Sequence, residues 1–319
     1  MPRELRSSVV VLTGASSGIG RAAALAFARR GARLVLAGRA GGALEEAAGA
    51  CRRLGAEALA VPTDVRDEQA VRALAGAAAR RFGRIDVWVN DAGVIAYGRF
   101  EDVPGEVFRS VIDTNLLGQV HGARAVLPHF RRQGAGVLIN MCSVWGRVTS
   151  PDVSAYVASK HAVRAFSECL RQELRDAPGV DVATMLPAAV DTPIFARAAN
   201  YSGRPVRPVP PMVDPGEVAE GIVRCAQSPK REVTYGRLGR ALEVLYAVAP
   251  PVYDRLVPSA FAAGNFGRGT AARAAGNVLG PVADGAGVDG GWRAERRGEL
   301  RRALAAAAAG FVRGVWRGG

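Results

Sequence analysis

Lysine is almost absent from this sequence, and the residues that form disulfides or bind metals are few. Only two of the 42 basic residues, Lys160 and Lys230, are lysines, and the others are arginines. The four cysteines are scattered without a CxxC pair, and there are only three histidines. This pattern predicts neither a disulfide framework nor a zinc site, so we expect a reducing setting and no metal.

Long hydrophobic runs are also missing. The apolar run at residues 9–12 is shorter than the core of a signal peptide, and no stretch reaches the roughly 18 apolar residues of a membrane-spanning helix. Because 49% of the residues are hydrophobic and 22% are charged, the composition is still that of a folded globular protein. We therefore expect a cytoplasmic protein with a sizeable core.

The net charge of +13 is spread along the chain. Residues 1–200 carry a net charge of +6 and residues 201–319 one of +7, without the Lys/Arg block that marks a nucleic-acid-binding tail. Nucleic-acid binding is therefore a disfavoured hypothesis, and we expect no nucleic acid as a partner.

The first two hundred residues alternate short apolar runs with helical patterns. The runs lie at residues 9–12, 33–38, 58–65, 87–90, 136–143 and 180–187, and helical patterns at 20–30, 43–54 and 67–81. Continuous apolar strands that alternate with helices predict a parallel sheet with both faces covered. The right-handed crossover rule makes this an α/β fold with a doubly wound, Rossmann-type sheet.

After about residue 190 the alternation stops. The proline-rich residues 193–215 predict a loop beside the substrate, and residues 214–228 return to a helix that Asp214 would cap. We therefore divide the chain into a catalytic domain at 1–248 and a C-terminal extension at 249–319.

The extension combines a glycine-rich segment with a basic amphipathic pattern. Residues 264–291 contain nine glycines and predict irregular structure. Residues 293–317 predict a helix with arginines at both ends and an apolar stripe formed by Leu300, Leu304, Ala308, Phe311 and Val315. Such a helix is expected to contact an anionic membrane surface or a partner, or alternatively to dock on its own subunit.

Three glycines follow the first apolar run and open the first helix. Gly14, Gly18 and Gly20 have the spacing GxxxGxG, a variant of the dinucleotide-binding fingerprint. Such a loop needs a tight turn and backbone amides at a helix N-terminus that face a pyrophosphate. No Gly-Lys-Ser/Thr follows, which excludes a Walker A loop.

The second apolar run ends at Arg39, without the carboxylate that would hold the ribose of NAD. A guanidinium at this position favours the 2′-phosphate of NADP, so we expect NADP(H) to be preferred over NAD(H).

Further motifs match those of a known family. The chain has TGASSGIG at 13–20, TDV at 63–65, NDAG at 90–93, YVASK at 156–160 and PAAVDT at 187–192. Over roughly residues 5 to 245 these motifs resemble the short-chain dehydrogenase/reductase family. Two positions depart from the family pattern: Asp91 stands where NNAG has its second asparagine, and Ala188 stands where PGxVxT has its glycine.

The resemblance implies a catalytic set of Asn115, Ser143, Tyr156 and Lys160. Tyr156 and Lys160 are spaced i and i+4, so both point to one face of a helix. We expect Lys160, together with an oxidised nicotinamide, to lower the pKa of Tyr156 so that it acts as general acid and base. Lysine is a compact charge with three donors, and the planar fork of arginine would not replace it. Ser143 would position the substrate oxygen, and Asn115 would hold the helix geometry and a water.

The same resemblance implies the binding residues. The cofactor set is Gly14, Ser16, Ser17, Gly18, Ile19, Gly20, Arg39, Asp64, Val65, Asn90, Ala92, Gly93, Tyr156, Lys160, Val190 and Thr192. The substrate set is Ser143, Trp145 and Tyr156, and the apolar side chains expected to face the substrate are Ile95, Tyr97, Phe195 and Tyr201. These surroundings favour a hydrophobic alcohol or ketone.

The sequence thus predicts an NADP(H)-dependent oxidoreductase that interconverts a hydroxyl and a carbonyl group by hydride transfer. The family resemblance implies a dimer or tetramer. A non-catalytic nucleotide-binding or scaffolding protein on the same fold is the alternative, supported only by the long C-terminal extension.

Overall fold

The computed structural model describes residues 3–282 and 286–295. Seven parallel strands form one sheet in the order β3-β2-β1-β4-β6-β7-β9, and β5 and β8 form a small second sheet. In chain order the strands are β1 (Val9–Thr13), β2 (Arg33–Gly38), β3 (Ala58–Pro62), β4 (Val87–Asn90), β5 (Ala96–Tyr97), β6 (Gly136–Met141), β7 (Val180–Pro187), β8 (Ala199–Asn200) and β9 (Glu232–Tyr235). The predicted doubly wound α/β fold is confirmed.

The sheet is covered by helices on both faces. The helices are α1 (Gly18–Ala28), α2 (Gly41–Arg53), α3 (Glu68–Phe82), α4 (Gly105–Ile112), α5 (Gly118–Gln133), α6 (Ser154–Glu173), α7 (Pro215–Gln227), α8 (Arg237–Val248) and α9 (Pro250–Asn265). Helices α1, α2 and α7 pack on one face, and α3, α5 and α6 pack on the other.

Strand β1 shows why the runs are continuously apolar. Val10 and Leu12 contribute to the core on one face and Val11 to the core on the other, and all three are fully buried. Successive side chains of a strand point to opposite faces, so a strand covered on both sides needs apolar residues at every position.

Local signals set the ends of the helices. The Asp67 carboxylate accepts hydrogen bonds from the first-turn amides of α3, and α3 ends at Gly83, whose φ is +80°. Asp214 caps α7 as predicted, because its carboxylate accepts a hydrogen bond from the Gly216 amide at 2.7 Å.

The predicted strands at 58–65 and 136–143 end earlier than expected, at Pro62 and Met141. Thr63 and Cys142 lie beyond the last paired residues and line a cavity at the carboxyl edge of the sheet. The apolar pattern of the sequence continues past the end of each strand because the residues that follow are enclosed at the wall of this cavity.

The C-terminal part begins with two helices, α8 and α9, that are joined at Ala249 and contact each other. Tyr246 of α8 and Tyr253 of α9 meet edge to face, and the Tyr253 hydroxyl donates to the Thr149 carbonyl at 2.5 Å. Apart from Gly264 and Asn265, which end α9, the described residues of the glycine-rich segment contain no helix or strand. The predicted helix at 293–317 lies outside the described residues except for its first turn. No helix of the described chain has the length and hydropathy needed to cross a bilayer.

Candidate active site

A cavity of about 390 Å³ lies at the carboxyl edge of the sheet. Its walls come from the residues that follow β1, β2, β4, β6 and β7, and from the C-terminal helices and tail. Strands β1 and β4 are neighbours in the sheet although the chain runs from β1 through β2 and β3 before it returns to β4. The cavity therefore lies where the strand order reverses, which is the usual ligand position in doubly wound sheets.

The glycine loop is packed tightly against the loop after β4. Gly14 has φ of +70°, and a Cβ there would come within 2.8 Å of the Ala92 backbone. A Cβ on Gly20 would lie 2.5 Å from the Gly14 carbonyl oxygen. Any larger residue would push the loop off its neighbours, so these glycines are needed for the close approach. Gly14, Ser16, Ser17, Gly18 and Ile19 line the cavity, whereas Gly20 supports the loop from below.

Asp91, which departs from the family pattern, lies at the cavity wall beneath this loop. Its carboxylate accepts a hydrogen bond from the Gly20 amide, and burial raises the pKa of Asp91 to about 7 although the Lys160 ammonium acts in the opposite direction. The Thr13 hydroxyl holds the backbone at Asp91 in place, because it accepts hydrogen bonds from the Asp91 and Ala92 amides at 3.1 and 3.2 Å.

Arg39 lies at the end of β2 on the cavity wall. Its Nη2 donates to the Asn277 carbonyl at 2.6 Å. Its Nη1 is buried and has no hydrogen-bond partner among residues 3–282 and 286–295. Asp64, also at the wall, forms an ion pair with Arg66 at 2.6 Å. Burial lowers the pKa of Arg39, and nearby Asp64 offsets this in part.

Ser143, Tyr156 and Lys160 converge on the cavity. Ser143 follows β6, and Tyr156 and Lys160 lie one turn apart on α6. The Ser143 hydroxyl donates to the Pro187 carbonyl at 3.4 Å and lies close enough to the Tyr156 hydroxyl to lower the pKa of Tyr156. The Lys160 Nζ lies 5.4 Å from the centre of the Tyr156 ring and donates to the Met141 carbonyl at 2.8 Å.

The expected lowering of the Tyr156 pKa is not found in this state. Burial raises the pKa of Tyr156, and the neighbouring Ser143 hydroxyl opposes this only in part. Burial likewise lowers the pKa of Lys160. The apolar walls disfavour phenolate and ammonium alike, because neither charge can be solvated there. A further positive charge in the cavity would lower the pKa of Tyr156.

Asn115 lies in a single π-helical turn, Asp113–Leu117, between α4 and α5. Its Oδ1 accepts from the Val94 amide at 2.8 Å, and its Nδ2 donates to the Val94 carbonyl at 2.9 Å and to Ser159 Oγ at 3.1 Å. A Cβ on Gly93 would lie 3.4 Å from Asn115 Oδ1 and 3.9 Å from Lys160 Nζ. The amide thus ties the cavity loop to α6 directly behind Lys160.

The loop after β7 accommodates the second departure. Ala188 donates its amide hydrogen to the Tyr235 carbonyl at 2.8 Å. The Ala188 methyl group faces Gly236, which has φ of +99°. A side chain at residue 236 would place its Cβ only 2.6 Å from this methyl group. The glycine at 236 therefore leaves the space that Ala188 occupies. Val190 and Thr192 line the cavity, as do the other predicted binding residues Asp64, Val65, Ala92 and Gly93.

Four predicted residues do not line the cavity: Gly20 and Asn115, which support its wall, and Asn90 and Tyr201. The Asn90 amide is buried inside the sheet, where it accepts from Trp88 Nε1 at 2.7 Å and donates to Asn140 Oδ1 at 2.9 Å. Tyr201 packs against Val103 and the backbone of Gly98. Neither side chain is part of the cavity wall.

One end of the cavity is apolar. Ile95, Tyr97, Trp145 and Phe195 line it as expected. Helix α9 completes this wall, and Phe261 meets Trp145 edge to face at 5.8 Å. A contribution of α9 to the site was not predicted, although the four-residue spacing of its apolar residues is a usable signal.

The C-terminal tail crosses the glycine loop. The Gly18 amide donates to the Gly287 carbonyl at 3.0 Å. Asp191 anchors the tail further along, because its carboxylate accepts from the Gly290, Trp292 and Arg293 amides at 3.0 to 3.1 Å. Residues on both sides of the predicted boundary at 248, from the catalytic domain and from the C-terminal extension, thus line the same cavity.

The chain matches known proteins over most of its length. A model of the short chain dehydrogenase family matches residues 8–201. The chain belongs to the short-chain dehydrogenase/reductase family. The "Uncharacterized oxidoreductase YxnA" of Bacillus subtilis (strain 168) is 36% identical over 258 residues, which is 80% of this chain and 72% of that protein. This chain is an oxidoreductase that acts on CH–OH groups.

Two solved structures share the fold. One is a short-chain dehydrogenase/reductase from Burkholderia phymatum in complex with NAD, with a TM-score of 0.71 and 30% identity, covering 78% of this chain and 96% of that one. The other is an alcohol dehydrogenase from the archaeon Thermococcus sibiricus complexed with 5-hydroxy-NADP, with a TM-score of 0.62 and 31% identity, covering 71% of this chain and 95% of that one.

Proposed function

We propose that this protein is an NADP(H)-dependent oxidoreductase that interconverts a hydroxyl and a carbonyl group on a hydrophobic small molecule. The observation that carries the proposal is the convergence of Ser143, Tyr156 and Lys160 at a cavity that the glycine loop also lines. The motifs at 13–20, 63–65, 90–93 and 187–192 also contribute residues to this cavity.

The walls fit a nicotinamide dinucleotide. The loop from Gly14 to Ile19 brings backbone amides and the start of α1 to the cavity, which suits a pyrophosphate. Arg39 and Asp64 would flank the adenosine end, and Lys160 would hold the ribose hydroxyls beside the nicotinamide. Bound there, the cofactor supplies or accepts the hydride and, when oxidised, adds positive charge near Tyr156.

Tyr156 would then move the proton. In carbonyl reduction its hydroxyl donates a proton to the substrate oxygen as the hydride reaches the carbon, and in alcohol oxidation it accepts that proton. Ser143, whose hydroxyl lies beside that of Tyr156, would hold the same oxygen in place. After carbonyl reduction Lys160 would give a proton back to Tyr156, and a water held near Asn115 would connect Lys160 to solvent.

The preference for NADP rests on Arg39. Its buried Nη1 lacks a partner within the described part of the chain, and a 2′-phosphate oxygen would supply one. The two structural neighbours carry NAD and an NADP derivative, so the fold alone accommodates either cofactor.

The apolar end of the cavity supports a hydrophobic substrate, since Ile95, Trp145, Phe195 and Phe261 offer surface for a hydrocarbon. The dimeric or tetrameric state and the cytoplasmic location remain predictions.

Cofactor binding and turnover of apolar ketones test the proposal in wild type, Tyr156→Phe and Arg39→Ala. We expect Tyr156→Phe to bind NADPH normally but to lose about 10²- to 10⁴-fold in kcat, the usual contribution of a general acid. Arg39→Ala should weaken the binding of NADPH about tenfold or more and leave the binding of NADH unchanged. The matched control is Tyr201→Phe, a tyrosine outside the cavity, which should retain activity.

Full activity of Tyr156→Phe would refute the assigned chemistry. Equal losses for NADPH and NADH in Arg39→Ala would refute the 2′-phosphate contact and leave the rest of the proposal intact.

A further inference from the structure

Helix α9 buries one stripe of side chains at four-residue spacing: Tyr253, Val257, Phe261 and Asn265. Residues spaced by four lie on one face of a helix. Val257, Phe261 and Asn265 all line the cavity. Asn265 is the polar member of these three.

The Asn265 side chain is only 2% exposed, and its Nδ2 makes no hydrogen bond to any residue that the structure describes. Its backbone carbonyl is satisfied, because it accepts from the Arg207 amide at 2.6 Å. Because Nδ2 makes no hydrogen bond within the described residues, the Asn265 side chain does not cap the carbonyls at the end of α9. The buried Nδ2 donor is therefore not explained by the helix end.

Among the described residues, the surroundings of Asn265 are largely aromatic and apolar. Phe261 and Phe266 meet edge to face at 6.2 Å, and both belong to an apolar cluster that includes Trp145 and Tyr156. An amide hydrogen without a partner in an apolar site is unfavourable, whereas leucine would fill a similar volume without that cost.

We propose that Asn265 is a specificity residue whose Nδ2 donates a hydrogen bond to a second oxygen on the substrate. The substrate is then an apolar ketone or alcohol that also carries an acceptor such as an ester, an ether or another carbonyl. Its reacting oxygen meets Ser143 and Tyr156, and its second oxygen meets α9. This inference rests on the proposed function and narrows its substrate class.

The test compares matched ligands in wild type, Asn265→Leu and the control Ser259→Ala, an exposed serine of the same helix. The ligands are a series of methyl oxo-esters, with ketone and ester separated by increasing numbers of methylene groups, and ester-free ketones of equal length. NADPH oxidation gives kcat and KM, calorimetry on the NADP⁺-loaded proteins gives Kd, and thermal melts report folding.

Wild type and Ser259→Ala should favour the best-spaced ester over its plain ketone by roughly tenfold, mainly through KM and Kd. Asn265→Leu should lose this preference, keep turnover of the plain ketone, and melt at the same or a higher temperature. A purely structural amide would instead lower the melting temperature and leave the preference in place.

Two results overturn the inference while leaving the proposed function standing: no preference in wild type at any spacing, or an unchanged preference in Asn265→Leu. If no ketone is turned over by wild type, the proposed function fails, and the calorimetric comparison still decides whether Asn265 binds the ester.

Discussion

Asp91 makes the stability of the protein depend on pH in a direction opposite to that of most carboxylates. Burial raises the pKa of Asp91 from 3.8 to about 7. The folded protein therefore keeps a proton that the unfolded chain has already lost. By linkage, the free energy of unfolding is highest below about pH 4 for this group and falls as pH rises to about 7.

The substitution Asp91→Asn should abolish this decrease in the free energy of unfolding with rising pH. An amide oxygen can still accept from Gly20, but it carries no charge to bury. Each pKa unit corresponds to about 1.36 kcal/mol, so the shift sets a ceiling of about 4 kcal/mol over the whole range. Between about pH 5 and pH 8 we expect the variant to gain up to about 2.5 kcal/mol relative to wild type.

Urea unfolding at a series of pH values measures the difference directly, with m-values checked for two-state behaviour. Asp254→Asn, an exposed carboxylate on α9, is the control and should follow wild type. A stability difference between Asp91→Asn and wild type that stays constant from about pH 5 to pH 8 would refute the reasoning.

Two other perturbations probe the tail and the sheet. Asp191→Ala removes the carboxylate that accepts hydrogen bonds from three tail amides. Trypsin should therefore cleave the variant after Arg293 about tenfold faster or more than wild type, as measured by mass spectrometry. An unchanged rate of cleavage would show that these hydrogen bonds do not hold the tail. Gly122→Ala places a methyl group against Asn90 Oδ1 inside the sheet and should cost about 1–3 kcal/mol in urea unfolding, whereas Gly49→Ala, whose Cβ meets only arginine side-chain ends, should be neutral or stabilising.

The strands and the central residues of the site were predictable because their signals are local. The apolar run of β1 and the glycines after it lie side by side in the sequence. The spacing of Tyr156 and Lys160 fixes their common helix face. The doubly wound, Rossmann-type sheet was predictable from the alternation of runs and helices, since a parallel sheet leaves few topologies.

The remaining features depend on contacts between distant parts of the chain. Arg39 bonds to the backbone carbonyl of Asn277, and a backbone carbonyl has no sequence signature. Asn90 was expected at the cofactor, but its amide is paired with Asn140 of the neighbouring strand. The raised pKa of Tyr156 reflects how completely the fold encloses it, and sequence spacing carries no such information.

The family match ends at residue 201, whereas much of the apolar wall comes from later residues such as Val209, Leu242 and Phe261. Ser143, Tyr156 and Lys160 thus all come from the matched stretch, whereas the apolar wall is built from both stretches. Mutations in the later stretch can remodel the ligand preference without altering Ser143 or Tyr156. Relatives that share the first stretch can diverge in what they accept, and exchanging the second stretch between them is a direct route to new specificities.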